Sequence, residues 1–259
     1  MTDGATRQLF LGLNVERRYR LVYKPVVFIA GLMPLAWMIC ALFGWLGFSA
    51  GVDPVKFLEL ENGKTALNLI LLTLTITPVR RLAGLPHLVR LRRMLGLFAF
   101  FYAMLHFTVY VVLDLDLNWH MVGADIAKRP YITVGFAALL LLVPLAVTST
   151  NRMMRRLGRR WSRLHRLVYV IAVLGVWHFY WQEKIDVHEP ELYALILAIL
   201  LGYRLARSAW LRRLLASVRA HRGGEALRDT PSRTQAVDAR TILNRRAPRS
   251  GQCPLCSDE

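Results

Sequence analysis

"WSRLHRLVYVIAVLGVWHFYWQ", Trp161–Gln182, decides how the whole chain is read. It reads as one membrane helix, yet it holds His165 near one end and His178 near the other. A bilayer core of about 30 Å needs roughly 20 helical residues, and an ionisable side chain at that depth marks a functional site by default. Two imidazoles on one such helix therefore need partners elsewhere in the chain.

Five more apolar runs surround it, at 25–48, 65–79, 94–113, 131–149 and 191–210. The one at 65–79, "TALNLILLTLTITPV", is short and rich in Thr, so it either borrows residues from Leu58–Lys64 or tilts little as a span. With 55% hydrophobic residues in 259, the chain is too apolar for an ordinary soluble domain. A net charge of +17 on a soluble protein would suggest nucleic acid. Here the basic residues sit between apolar runs, so a lipid bilayer explains them and no nucleic-acid partner is expected.

Their distribution gives the orientation. Met1–Lys24, Val79–Arg93, Thr150–Arg166 and Arg204–Glu259 hold 29 of the Lys and Arg residues; the alternate connections hold only Lys56, Lys64, Lys128, Arg129 and Lys184. By the positive-inside rule both termini are cytoplasmic. The expected fold is an all-α membrane protein of six transmembrane helices. Residues 1–24 form a cytoplasmic N-terminal segment, 25–210 the six-helix domain, and 211–259 a basic, mostly disordered cytoplasmic tail. Trp177, Tyr180 and Trp181 form an aromatic anchor at the outer interface. No signal peptide, internal repeat, Walker loop or strand-borne GxGxxG is evident. Cys40 reads as packing. Cys253 and Cys256 form a lone CPLC without the second pair that a structural zinc site needs.

Of seven histidines, His120, His188 and His221 read as solvated, and His87 falls in an inner loop. His106 lies in the third run, His165 and His178 in the fifth. No intramembrane carboxylate accompanies them, which speaks against a proton relay. Neutral imidazoles beside small residues such as Gly96 and Gly175 suit a haem. His106 and His178 lie about 12 and 6 Å below the outer boundary at ~1.5 Å per residue, so modest tilt brings them level. His165 is about 20 Å deeper than His178 and cannot share their ligand. Fourteen residues before His106, on nearly the same face, stands Arg92 and not a second inner histidine. His165 and His178 are out of angular register unless their helix bends. Arg92 and Arg93 anchor the inner end, and they are also suited to haem propionates, a flavin phosphate or a quinone-site group.

"RRMLGLFAFFYAMLHF" (92–107), "LHRLVY" (164–169) and "GVWHFYW" (175–181) together resemble the MsrQ family, formerly YedZ. That family belongs to the ferric-reductase-like transmembrane superfamily, which also includes NADPH oxidases. The likeness covers about residues 10–210. It implies a multi-pass protein of the bacterial inner membrane carrying haem b, with FMN as a further cofactor. It implies electron flow from membrane quinone or a cytoplasmic flavin reductase to a periplasmic molybdopterin subunit, MsrP, which repairs methionine sulfoxide in envelope proteins. The chain would then be an electron-transfer subunit and not the catalytic one. His106 and His178 match the haem-ligand positions. His165 matches a third family histidine, at a second haem or at the quinone or flavin site, and Arg92 and Arg93 match an arginine pair linked with flavin. The acidic outer loops, with Asp53, Glu59 and Asp125, are a candidate docking face. Two other readings stay open: a ferric or oxygen reductase acting directly on a soluble acceptor, and a non-redox carrier whose histidines bind metal or move protons.

Overall fold

The computed structural model describes residues 19–82, 88–182 and 188–207. His87, His221, the two cysteines of CPLC and the tail beyond 207 lie outside the described residues. All secondary structure among the described residues is helical. Residues 1–203 form one compact unit and 204–259 a second, of which the helical residues 204–207 are described.

After a π-helical turn, Tyr19–Tyr23, come α1 (Lys24–Leu42), α2 (Pro54–Leu82) and α3 (Leu88–Val109), the last continued by a π-helical turn, Tyr110–Asp114. A short helix, α4 (Trp119–Lys128), leads into α5 (Pro130–Val147). Two short helices, α6 (Asn151–Leu157) and α7 (Arg159–Leu164), precede α8 (Leu167–Gln182). Residues 188–207 form α9.

Four segments are long and apolar enough to cross a membrane: Leu21–Leu42, Leu88–Asp114, Pro130–Val147 and Arg159–Gln182. Their most apolar windows are only 17–39% buried within the protein, so most of their Leu, Ile, Val and Phe surface needs a non-aqueous surrounding. Ile29, Met33, Leu140, Val147 and Val170 are examples of such outward-facing side chains.

α2 falls outside that group, and packing explains why it tolerates more polar residues. It buries Asn62, Leu67, Ile70, Leu71, Thr73 and Leu74 against the other helices. It faces protein more than lipid, so it needs less hydropathy. Thr73 and Thr75 return their hydroxyls to the carbonyls of Ile70 and Leu71, at 2.7 and 2.9 Å, so both hydroxyls are satisfied within the helix. At 29 residues and ~1.5 Å per residue α2 is about 43 Å long, and it includes Leu58–Lys64.

α2 pairs most extensively with α3, and α5 with α8. α1 docks on α3 through a tyrosine. Pro34 interrupts α1, and the buried Tyr102 inserts its hydroxyl where the ladder opens. The hydroxyl accepts from the Leu35 N–H at 3.1 Å and donates to the Gly31 carbonyl at 2.7 Å. One turn earlier on α3, Phe98 lies over Gly31, where an added Cβ would stand 2.6 Å from its ring.

Two sequence expectations change. The stretch 161–182 is not one continuous helix. α7 ends at Leu164 and α8 starts at Leu167, with His165 and Arg166 in a tight turn closed by bonds from Arg166 N–H to Arg163 and from Tyr169 N–H to Arg166. The sequence left open whether the helix bends between His165 and His178; the structure places a turn at His165–Arg166. The connection between α3 and α5 contains α4, which the apolar runs did not reveal. Asn118 caps it by accepting from the Met121 N–H at 3.2 Å.

Candidate cofactor site

α3 carries His106 and α8 carries His178, and the bundle brings the two rings together with centroids 6.2 Å apart and planes at 75°. Each ring is tied at one nitrogen only. His106 Nδ1 lies 2.8 Å from the Glu59 carbonyl on α2, and His178 Nδ1 lies 2.7 Å from the Tyr131 carbonyl on α5. A carbonyl can only accept, so both Nδ1 atoms carry the proton and both Nε2 atoms keep a free lone pair. This is the arrangement by which proteins orient imidazoles toward a metal.

The rings border a cavity of about 470 Å³. Its walls are apolar, with Leu67, Ile70, Phe136, Leu139 and Leu142; Gly175 also lines it, as the sequence anticipated. Lys56, Lys64, Arg129, Glu59 and Asp114 form a polar rim at the end that the charge count assigns to the outside. The volume falls in the range of small-molecule and cofactor sites. The gap between the rings suits one metal ion with nitrogen bonds of about 2 Å on each side. An apolar slot with a rim of mixed charge and two neutral imidazoles fits a haem b. A bare metal ion fits poorly: among the described residues no group of three or more His, Cys, Asp or Glu could hold one.

His165 stands apart from this pair. It lines a second cavity, about 1060 Å³, bordered by Lys24, Arg90, Arg92, Arg93 and Arg166, with no carboxylate among the described lining residues. Its Nδ1 lies 3.1 Å from the Trp161 carbonyl, and its buried Nε2 has no hydrogen-bond partner. The Trp161 indole stacks on the ring at 3.9 Å between centroids and donates from Nε1 to the Thr148 carbonyl at 3.0 Å. Arg92 Nε donates to the Thr73 carbonyl at 3.2 Å, and Arg93 bonds the Asn151 side chain. As at His106 and His178, the Nδ1 of His165 faces a backbone carbonyl. Such a basic cavity attracts anionic groups such as phosphates and carboxylates.

Gly96 lines this second cavity with open space around it and is not beside a paired ring. The glycines against the paired rings are Gly63 and Gly135. The sequence reading missed them, because only the pairing of α2 with α3 and of α5 with α8 identifies which glycines face a histidine. Of the proposed docking acids, Asp53 is exposed. Glu59 lines the first cavity, and Asp125 accepts from the Tyr110 hydroxyl at 3.0 Å and pairs with Arg129 at 3.3 Å.

The chain matches the family model described as ferric reductase like transmembrane component over residues 63–176, a range that includes Arg92, Arg93, His106 and His165. Among curated proteins it is 50% identical over 196 residues to "Protein-methionine-sulfoxide reductase heme-binding subunit MsrQ" of Xanthomonas euvesicatoria pv. vesicatoria, covering 74% of this chain and 90% of the relative. Identity is again 50%, over 195 residues, to the protein of that name from Bordetella pertussis, covering 73% of this chain and 91% of the relative. No solved structure matches the chain. Half-identity across nearly the full length of these relatives leaves one assignment: the chain belongs to the MsrQ family of ferric-reductase-like membrane proteins.

Proposed function

We propose that the chain is a haem-containing electron-transfer subunit of the bacterial inner membrane, delivering electrons to a periplasmic MsrP-type molybdopterin methionine sulfoxide reductase. Haem b, when bound, supplies a one-electron ferric–ferrous couple. His106 and His178 would hold it through Nε2, and the Glu59 and Tyr131 carbonyls fix both rings in the required tautomer. The apolar walls exclude water, and Lys56 at the rim would be available to the propionates, while Lys64 and Arg129 already pair with Glu189 and Asp125. The observation that carries this reading is the facing of two neutral imidazoles at 6.2 Å over a cavity of cofactor size.

The reading includes six spanning helices, with α2 and α9 crossing beside the four most apolar segments. Both termini are then cytoplasmic and the His106–His178 cavity is on the periplasmic side, where an outer acceptor needs it. The basic cavity is then cytoplasmic. His165, Arg92 and Arg93 hold the entry cofactor there: an anionic group such as the phosphate of FMN, a second haem, or a quinone headgroup. Electrons enter from quinol or a cytoplasmic flavin reductase. Of the three candidate docking acids, Asp53 is the exposed one and is available to the outer partner.

The test is the spectrum of the purified protein with a pyridine haemochrome assay and flavin extraction. A low-spin haem b is expected, lost in His106→Ala and in His178→Ala and retained in His165→Ala. Colourless wild-type protein, or full haem retention in both of the first two variants, would refute the reading. Rapid ferrous oxidation by ferric chelates or oxygen without a periplasmic partner would favour direct reduction of a soluble acceptor.

A further inference from the structure

The carbonyls that receive the two histidines are ordinary helical carbonyls, and helical carbonyls are normally covered. In an α-helix the carbonyl of residue i accepts from the N–H of residue i+4, and the i+4 side chain leans back over that turn. The residue four after Glu59 is Gly63, and the residue four after Tyr131 is Gly135. Both positions are against the imidazoles. A Cβ on Gly63 would stand 3.2 Å from His106 Nδ1 and 3.3 Å from its Cε1. A Cβ on Gly135 would stand 2.7 Å from His178 Nδ1 and 2.8 Å from its Cε1. The second contact is impossible without displacing the ring, and the first is met only by a small shift.

The two arrangements are copies in spacing. Glu59 to His106 and Tyr131 to His178 are each 47 residues apart. His178 follows His106, Gly135 follows Gly63 and Tyr131 follows Glu59 by the same 72 residues. The pair α2–α3 and the pair α5–α8 therefore present one device twice: a carbonyl, a glycine one turn later, and a histidine on the following helix of the pair. No repeat of residue types announces it.

We propose that Gly63 and Gly135 are positioning residues for the haem ligands: each uncovers the carbonyl that holds its histidine, and so sets the ligand strength and ring plane at the iron. This rests on the haem reading above. Loss of an Nδ1–H···O=C bond makes the imidazole less basic, a weaker partner for ferric iron, so the midpoint potential rises.

The experiment compares Gly63→Ala, Gly135→Ala and Gly123→Ala, the last adding a methyl in open space on α4. Purified proteins are read by optical spectrum, midpoint potential and carbon monoxide binding after dithionite reduction. Wild-type protein without a low-spin haem would overturn the haem reading itself. Given that haem, Gly63→Ala is expected to keep it with a raised midpoint potential. Gly135→Ala is expected to lose six-coordinate low-spin character and to bind carbon monoxide, because His178 is pushed off its carbonyl. Gly123→Ala is expected to match wild type. A wild-type potential, spectrum and carbon monoxide insensitivity in Gly135→Ala would overturn the proposal. Should Gly135→Ala fail to accumulate, an unchanged potential in Gly63→Ala would overturn it alone.

Discussion

The imidazole planes of His106 and His178 meet at 75°. For ferric iron between two imidazoles, near-perpendicular planes leave the two dπ orbitals almost equal in energy, whereas parallel planes split them. The loaded protein is therefore expected to give a highly anisotropic low-spin electron paramagnetic resonance signal. A rhombic signal of the parallel-plane type would mean that the rings turn on loading.

Trp161 holds His165 by stacking and is itself held by the Thr148 carbonyl. Trp161→Ala removes both contacts at the basic end and touches nothing at the His106–His178 pair. The variant is expected to lose whatever occupies the basic cavity while keeping the low-spin outer haem. Flavin extraction and haem-to-protein ratios measured side by side check this; equal loss at both sites would contradict it.

Arg92 and Arg93 differ in their anchors. Arg92 is tied to a backbone carbonyl of α2, and Arg93 to the Asn151 side chain at the start of α6. Arg92→Lys keeps the charge but loses the planar fork, so weaker retention of an anionic ligand is expected although net charge is unchanged. Titration with FMN, followed by flavin fluorescence, measures it. Unchanged affinity would show that charge alone suffices.

Tyr102→Phe leaves the Leu35 N–H and the Gly31 carbonyl without their partner inside α1. The expected loss is about 1–3 kcal/mol of stability, the cost of orphaned buried polar groups. Unfolding in mixed detergent, followed by circular dichroism, reads it. The outer haem spectrum of the folded fraction is expected to stay that of wild type.

Much of this was legible in the chain. Apolar runs located the helices, since a span long enough for lipid cannot hide in a sequence. The depths of His106 and His178 anticipated their meeting, because rise per residue is nearly constant along a helix. What depends on which helix faces which was not legible. Gly63 and Gly135 look like any membrane glycine until α2 is set against α3 and α5 against α8. Tyr102 reads as one aromatic among several, and only the opening at Pro34 gives its hydroxyl a destination. The turn at His165–Arg166 escaped notice because neither residue is a helix breaker; the angular mismatch with His178 was its one trace.

The two-fold use of a helix pair also bears on how the protein is made. Each hairpin supplies a single imidazole, so a nascent chain with only α2 and α3 in the membrane has half a clamp. With haem held by His106 and His178 as proposed, pigment can be captured securely only after the second pair has been inserted and seated. Colour then marks completed biogenesis, and truncated or misrouted chains should be pale.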